Sequence, residues 1–139
     1  MGNIAAVALG GALGSLSRWG VSEWVRARGV DPASGDFPWG TLIVNASGSL
    51  LIGLVYGLLG SGLLGSGAAR AAGAGPVHLF AAIGFLGAFT TFSTFSYETL
   101  ALMQHGHTAK ALGYAASSTL LGVALAFAGV AAGVLLRRI

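Results

Sequence analysis

Apolar residues gather into four stretches, at residues 4–24, 40–59, 77–103 and 109–136, and most of the polar residues fall in the gaps. A membrane-crossing helix needs about 20 apolar residues, a length that each stretch reaches. Neither strict alternation nor a narrow helical stripe stands out, because a helix in lipid is apolar on nearly every face, so length carries the assignment. The pattern predicts four transmembrane helices forming a single domain over residues 1–139. Between them lie a polar turn region at 26–38, a glycine- and alanine-rich link at 57–76 and a short link at 104–108. In the second link Gly–Leu–Leu–Gly–Ser starts at Gly57 and again at Gly62, a low-complexity repeat that implies a flexible connection and no chemistry. Trp19, Trp24 and Trp39 flank the first gap, where amphipathic rings favour the membrane–water boundary.

Composition supports the same reading. Of the 139 residues 55% are hydrophobic and 8% charged, and the mean hydropathy is +0.81. Soluble domains carry roughly 25% charged residues, so this chain lacks the surface to stay in water. It has no cysteine, which excludes thiol chemistry and cysteine metal sites. The seven basic residues are scattered and give no clustered face for nucleic acid. The first positive side chain is Arg18, so no basic region precedes the first apolar stretch, and residues 1–20 read as part of a retained helix.

Basic residues in short loops set membrane orientation. Four spans put Arg70, Arg137 and Arg138 on one side and Arg26, Arg28 and Lys110 on the other, with Arg18 inside the first span. The two sides balance. A chain without bias is free to insert both ways, and two opposed copies then pair about an axis in the membrane plane, as inverted repeats do within one transporter chain. The N-terminal amine or the lipid composition would instead fix one orientation, and charge alone leaves both open.

The candidate chemistry lies in the polar residues inside the spans. Between Gly84 and Glu98 the third span carries Thr90, Thr91, Ser93, Thr94 and Ser96, and Phe92 and Phe95, three apart, project from one side. Hydrocarbon gives hydroxyls no partner, so they face protein or a water-filled path. In the second span Thr41, Asn45 and Ser49 are four apart and share a face. Asn45 is either an interhelical hydrogen bond of about 1 kcal/mol or less or an anion ligand. The phenylalanines either pack or present positive ring edges to an anion, attracting it without trapping it. Arg18 either snorkels to the interface or raises anion concentration at a vestibule. Glu98 either caps a pore mouth or marks the approach to water. Tyr114 and Ser118 share a face of the fourth helix and extend the polar track, with packing an equal role for Tyr114.

Other features are plainer. Gly10 and Gly14, Gly53 and Gly57, and Gly129 and Gly133 are each four apart, a spacing that lets helices approach closely in lipid. His105 and His107 make at most a weak metal pair in a short link. No nucleophile–base–orienter set is visible, which argues against an enzyme, and no carboxylate is central in a span, which argues against proton coupling.

At these residues the chain resembles the Fluc (CrcB) family of small fluoride channels. Three blocks carry the resemblance: the glycine-rich run from Gly10 to Gly14 followed by Arg18; the run from Pro38 through Asn45 to Gly48 and Gly53; and the most specific, from Gly84 to Glu98. The resemblance implies an all-α integral membrane protein with four transmembrane helices, the third broken near its centre, assembled as an antiparallel dual-topology homodimer with two pores. It implies passive, electrogenic fluoride export that lowers cytoplasmic fluoride toxicity, in a bacterial cell inner membrane. By motif position the pore residues are Asn45, Phe92 and Phe95, with Ser93, Thr94, Ser96, Tyr114, Ser118 and Thr41 as the polar track and Arg18 and Glu98 at the vestibule. A structural sodium at the dimer interface falls to the backbone carbonyls of Gly87 and Thr90; no organic cofactor is implied. A further serine found in some members one turn after Ser118 would stand at Gly122, which has no hydroxyl.

Two rivals remain. A small proton-coupled multidrug exporter needs an acid embedded in its first helix, where this chain has Arg18, with Glu23 at the end. A non-transporting membrane scaffold gives no reason for donors to gather on helices two, three and four.

Overall fold

The computed structural model describes residues 2–59 and 75–139, whose regular elements are all helices, with no strand among them. Helix α1 is Gly2–Arg26, α2 is Trp39–Leu58 and α5 is Thr108–Leu136; the third span, Pro76–Gln104, comprises α3 at residues 76–89 and α4 at Phe92–Gln104. All four spans are long and apolar enough to cross a membrane. Ile4, Leu9, Leu13 and Leu16 on α1 and Leu120, Val123 and Phe127 on α5 are exposed, as expected where lipid replaces a protein core. Most of the 57–76 link, with its repeat and Arg70, lies outside the described residues.

Glycine decides which helices meet. Helices α2 and α5 share the most extensive contact, with α1 against α3 next. A Cβ on Gly53 would overlap the Ala126 carbonyl oxygen, and one on Gly129 would overlap that of Leu50. The backbones therefore touch directly, which only small residues permit. On the other side of the bundle, Gly10 and Gly14 of α1 lie against the backbone of Phe80, Gly84 and Phe85. There α3 is a π-helix over Leu79–Leu86, and the Gly87 amide reaches back to Ala82 O. Such wide turns are rare and are frequently found at functional sites.

Buried side chains cluster where Leu42, Leu102, Ala111 and Tyr114 pack together with Phe37 and Phe95 against them. Lys110 Nζ donates to Gly35 O at 3.1 Å, tying the first turn of α5 to the loop before α2. Asp31 caps the Pro32–Ser34 turn in that loop through the Ala33 amide. These ties fix the height of Tyr114 relative to α2.

Candidate functional site

The third span leaves helical geometry at two residues, Thr90 (φ −76°, ψ 156°) and Thr91 (φ −149°, ψ 118°). Local chemistry favours the interruption. Thr90 Oγ1 donates to Leu86 O at 3.0 Å, closing the last turn of α3. Thr91 is the N-cap of α4, its Oγ1 accepting from the Thr94 amide at 3.2 Å; threonine is among the favoured caps because its oxygen satisfies one orphan amide. Gly48 makes room for the interruption, since a Cβ there would overlap the Thr90 methyl.

Inside a membrane, backbone groups released from a helix need partners, and Asn45 supplies them. The Thr91 amide donates to Asn45 Oδ1 at 2.8 Å, and Asn45 Nδ2 donates to Thr91 O at 3.0 Å. One side chain thus satisfies both backbone groups of one residue. Asn45 has two Nδ2 hydrogens, and the second is left for the groove. Carbonyls at the end of α3 lose their helical amides in return, Gly87 O and Thr90 O among them: the Thr91 amide no longer serves Gly87 O, and the Thr94 amide, bonded to its cap, no longer serves Thr90 O. Arg18 Nη1 reaches Thr90 O at 3.5 Å, so the arginine of the first span lies beside the interruption.

Two concavities flank Thr91. The first, an open groove of about 350 Å³, is lined by residues that include Asn45, Thr90, Phe92, Phe95 and Ser118. Phe92 is 79% exposed, Phe95 is half-buried, and their ring centroids are 5.6 Å apart. The second, about 340 Å³, is lined by residues that include Arg18, Ser22, Glu23, Arg26, Thr41 and Thr94. Its rim carries an ion pair, Arg26 Nη1 to Glu23 Oε1 at 2.8 Å.

The remaining candidates divide by what their hydroxyls already do. Thr94 Oγ1 accepts from Thr91 Oγ1 at 3.0 Å, which leaves its own hydrogen to the second cavity. Ser93 Oγ lies 3.3 Å from Thr91 Oγ1. Ser96 Oγ donates to Phe92 O at 2.9 Å, so its hydrogen is spent within its own helix. Glu98 stands half-buried between α2 and α5: Thr41 Oγ1 donates to Oε1 at 2.9 Å and Tyr114 OH to Oε2 at 2.8 Å. Tyr114 itself is fully buried, with Phe95 5.2 Å and Phe37 5.5 Å from its ring. Ser93, Ser96, Glu98 and Tyr114 line neither cavity. Thr91, which the sequence offers as one hydroxyl of the third span and not as a pore residue, proves central; no sequence signal marks it as a cap, because its oxygen accepts from the backbone amide of Thr94, a donor any non-proline residue would present. Among the described residues no three His, Cys, Asp or Glu side chains gather as a metal group.

Four apolar spans with a polar seam at an interrupted third span define a multi-pass helical membrane protein. Comparison with known proteins narrows the class. Residues 5–130 match the profile of the family described as CrcB-like protein, Camphor Resistance (CrcB), and the chain belongs to that family. It is 54% identical over 127 residues to a protein of Thermus thermophilus named fluoride-specific ion channel FluC, covering 91% of this chain and 90% of the relative. A protein of Bordetella petrii with the same name is 42% identical over 135 residues, covering 97% and 94%. One from Rhizobium meliloti is 41% identical over 132 residues, covering 94% and 95%.

Proposed function

We propose that this protein is a fluoride-selective channel, conducting passively and electrogenically, which exports the ion and so limits its accumulation in the cell. The observation that carries the reading is the Asn45–Thr91 pairing, which sets an amide donor beside Phe92 and Phe95 in one groove. Fluoride is small and tightly hydrated, so crossing requires donors to stand in for lost water. Asn45 Nδ2 and the hydroxyls of Thr94 and Ser118 offer them, and ring edges add attraction short of a full opposite charge. Arg18 and Arg26 beside the second cavity favour anion entry. The names of relatives at 54% and 42% identity support fluoride as the ion.

The exposure of Phe92 supports assembly with a second copy, and the balanced loop charges support an antiparallel, dual-topology pairing of single-domain chains in a bacterial inner membrane. In this reading Ser93, Ser96, Thr41, Tyr114 and Glu98 line or support the path once the partner is in place. The Gly87 and Thr90 carbonyls, cut off from helical amides, are the kind of unwound-backbone oxygen that takes sodium at membrane depth. A sodium ion bound there would supply positive charge that ties the interruptions of two copies together. Dropping sodium from high to negligible concentration, with potassium replacing it, is expected to lower the dimer's thermal midpoint. Saturation at 100 times the dissociation constant corresponds to about 2.7 kcal/mol. A midpoint independent of sodium would remove Gly87 and Thr90 from this role.

The channel reading is tested with purified protein in liposomes loaded with fluoride and chloride. Rapid fluoride release on adding a potassium ionophore, with chloride retained, is the expected result. Release that requires a pH gradient would indicate a proton-coupled exporter, and no release a scaffold.

A further inference from the structure

The groove at Asn45 and Phe92 also reaches Ser49 and Ser118. Ser118 Oγ is buried and has no hydrogen-bond partner; among the described residues it is the only buried side-chain polar atom left so. A buried hydroxyl without a partner is costly, and one lining a groove points to a ligand or an ordered water. Ser49 Oγ, by contrast, donates to Asn45 O at 2.7 Å, so toward the groove it offers lone pairs only.

Gly122 stands opposite Ser49. A Cβ at Gly122 would meet Ser49 Oγ at 3.5 Å, an ordinary contact, and nothing else within 4 Å. Further along α5 a Cβ on Gly129 or Gly133 would overlap the α2 backbone. Packing therefore requires those two glycines and does not require Gly122, although glycine inside a helix is less stable than alanine. What the missing side chain provides is space beside Ser49.

Resting on the fluoride-channel reading, we propose that Ser118, Ser49 and the space over Gly122 form a rehydration station for the permeating anion. Ser118 donates its hydroxyl hydrogen to the ion. A water in the space donates one hydrogen to Ser49 Oγ and the other to the ion. Leaving the ring edges of Phe92 and Phe95, where donors are few, a tightly hydrated anion regains its first water here. Gly122 determines throughput by keeping that place open, and Ser49 positions the water without touching the ion.

The test measures fluoride efflux from liposomes containing the full-length protein, beside its thermal midpoint in detergent. Gly122→Ala fills the space with a methyl group and is expected to slow efflux about tenfold, the worth of one hydrogen bond to an ion, without lowering the midpoint. Ser118→Ala is expected to slow it by a similar factor. The double variant is expected to be no slower than the worse single, because both changes disable one station. Gly122→Ser returns a hydroxyl where the water stood and is expected to recover most of the flux lost in Gly122→Ala. A conducting wild type with Gly122→Ala and Ser118→Ala both unimpaired overturns the station alone; so do losses that multiply in the double variant. A wild type that passes no fluoride overturns the channel reading and the station with it.

Discussion

Asn45→Leu is expected to abolish fluoride passage, with flux at least about 100-fold below wild type. The reason is double. The change removes the amide donor proposed to meet the ion, and it leaves the Thr91 N–H without its acceptor and Thr91 O with only the helical amide it accepts as N-cap. An orphaned buried amide costs about 1–3 kcal/mol, so a lower thermal midpoint is expected as well. Asn45→Asp separates the two effects. An ionised carboxylate still accepts from the Thr91 amide, preserving half of the pairing, but it has no hydrogen to give and presents lone pairs to the ion. Stability between those of Asn45→Leu and wild type, with flux still lost, is the expected pattern, since the carboxylate oxygen facing Thr91 O has no hydrogen to give it; efflux from Asn45→Asp at the wild-type rate would remove Asn45 as a donor to the ion.

The largest effect on folding is expected at the α2–α5 crossing. Gly53→Leu or Gly129→Leu would drive a side chain into the facing backbone, at Ala126 O or Leu50 O, and neither can yield without separating the helices. Overpacking commonly costs about 1–3 kcal/mol or more, and this pair of helices carries the most extensive contact in the fold. Loss of the folded protein from detergent extracts, followed by size-exclusion chromatography and thermal unfolding, is the measurement. Gly113→Ala on the same helix supplies the contrast. No atom lies within 4 Å of its added Cβ, so the helix-forming advantage of alanine, up to about 1 kcal/mol, is expected to leave stability equal or higher. Equal losses at Gly113 and Gly129 would mean that close backbone approach does not govern this packing.

The span ends were legible because hydrophobic length is a one-dimensional property. Stretches expected at 4–24, 40–59, 77–103 and 109–136 compare with helices at Gly2–Arg26, Trp39–Leu58, Pro76–Gln104 and Thr108–Leu136. The glycine pairs were legible as a spacing, yet their partners were not. That Gly53 meets Ala126 while Gly10 meets Phe80 depends on which helices lie side by side. Hydroxyls behaved likewise. Ser96 and Thr94 look equivalent along the chain, but one returns its hydrogen to its own helix and the other keeps it for a cavity.

The residues by themselves determined a membrane-embedded helical protein, the four crossings, the family, and a polar seam in the second and third spans. These follow from chain length, side-chain transfer energy and local motif. Tertiary structure alone decided that Asn45 pairs with Thr91, 46 residues away, that Glu98 is held between Thr41 and Tyr114, and that Ser118 is left without a partner. Hydrogen bonds across a bundle depend on helix height and rotation, and those are set by contacts between backbones that no single segment encodes.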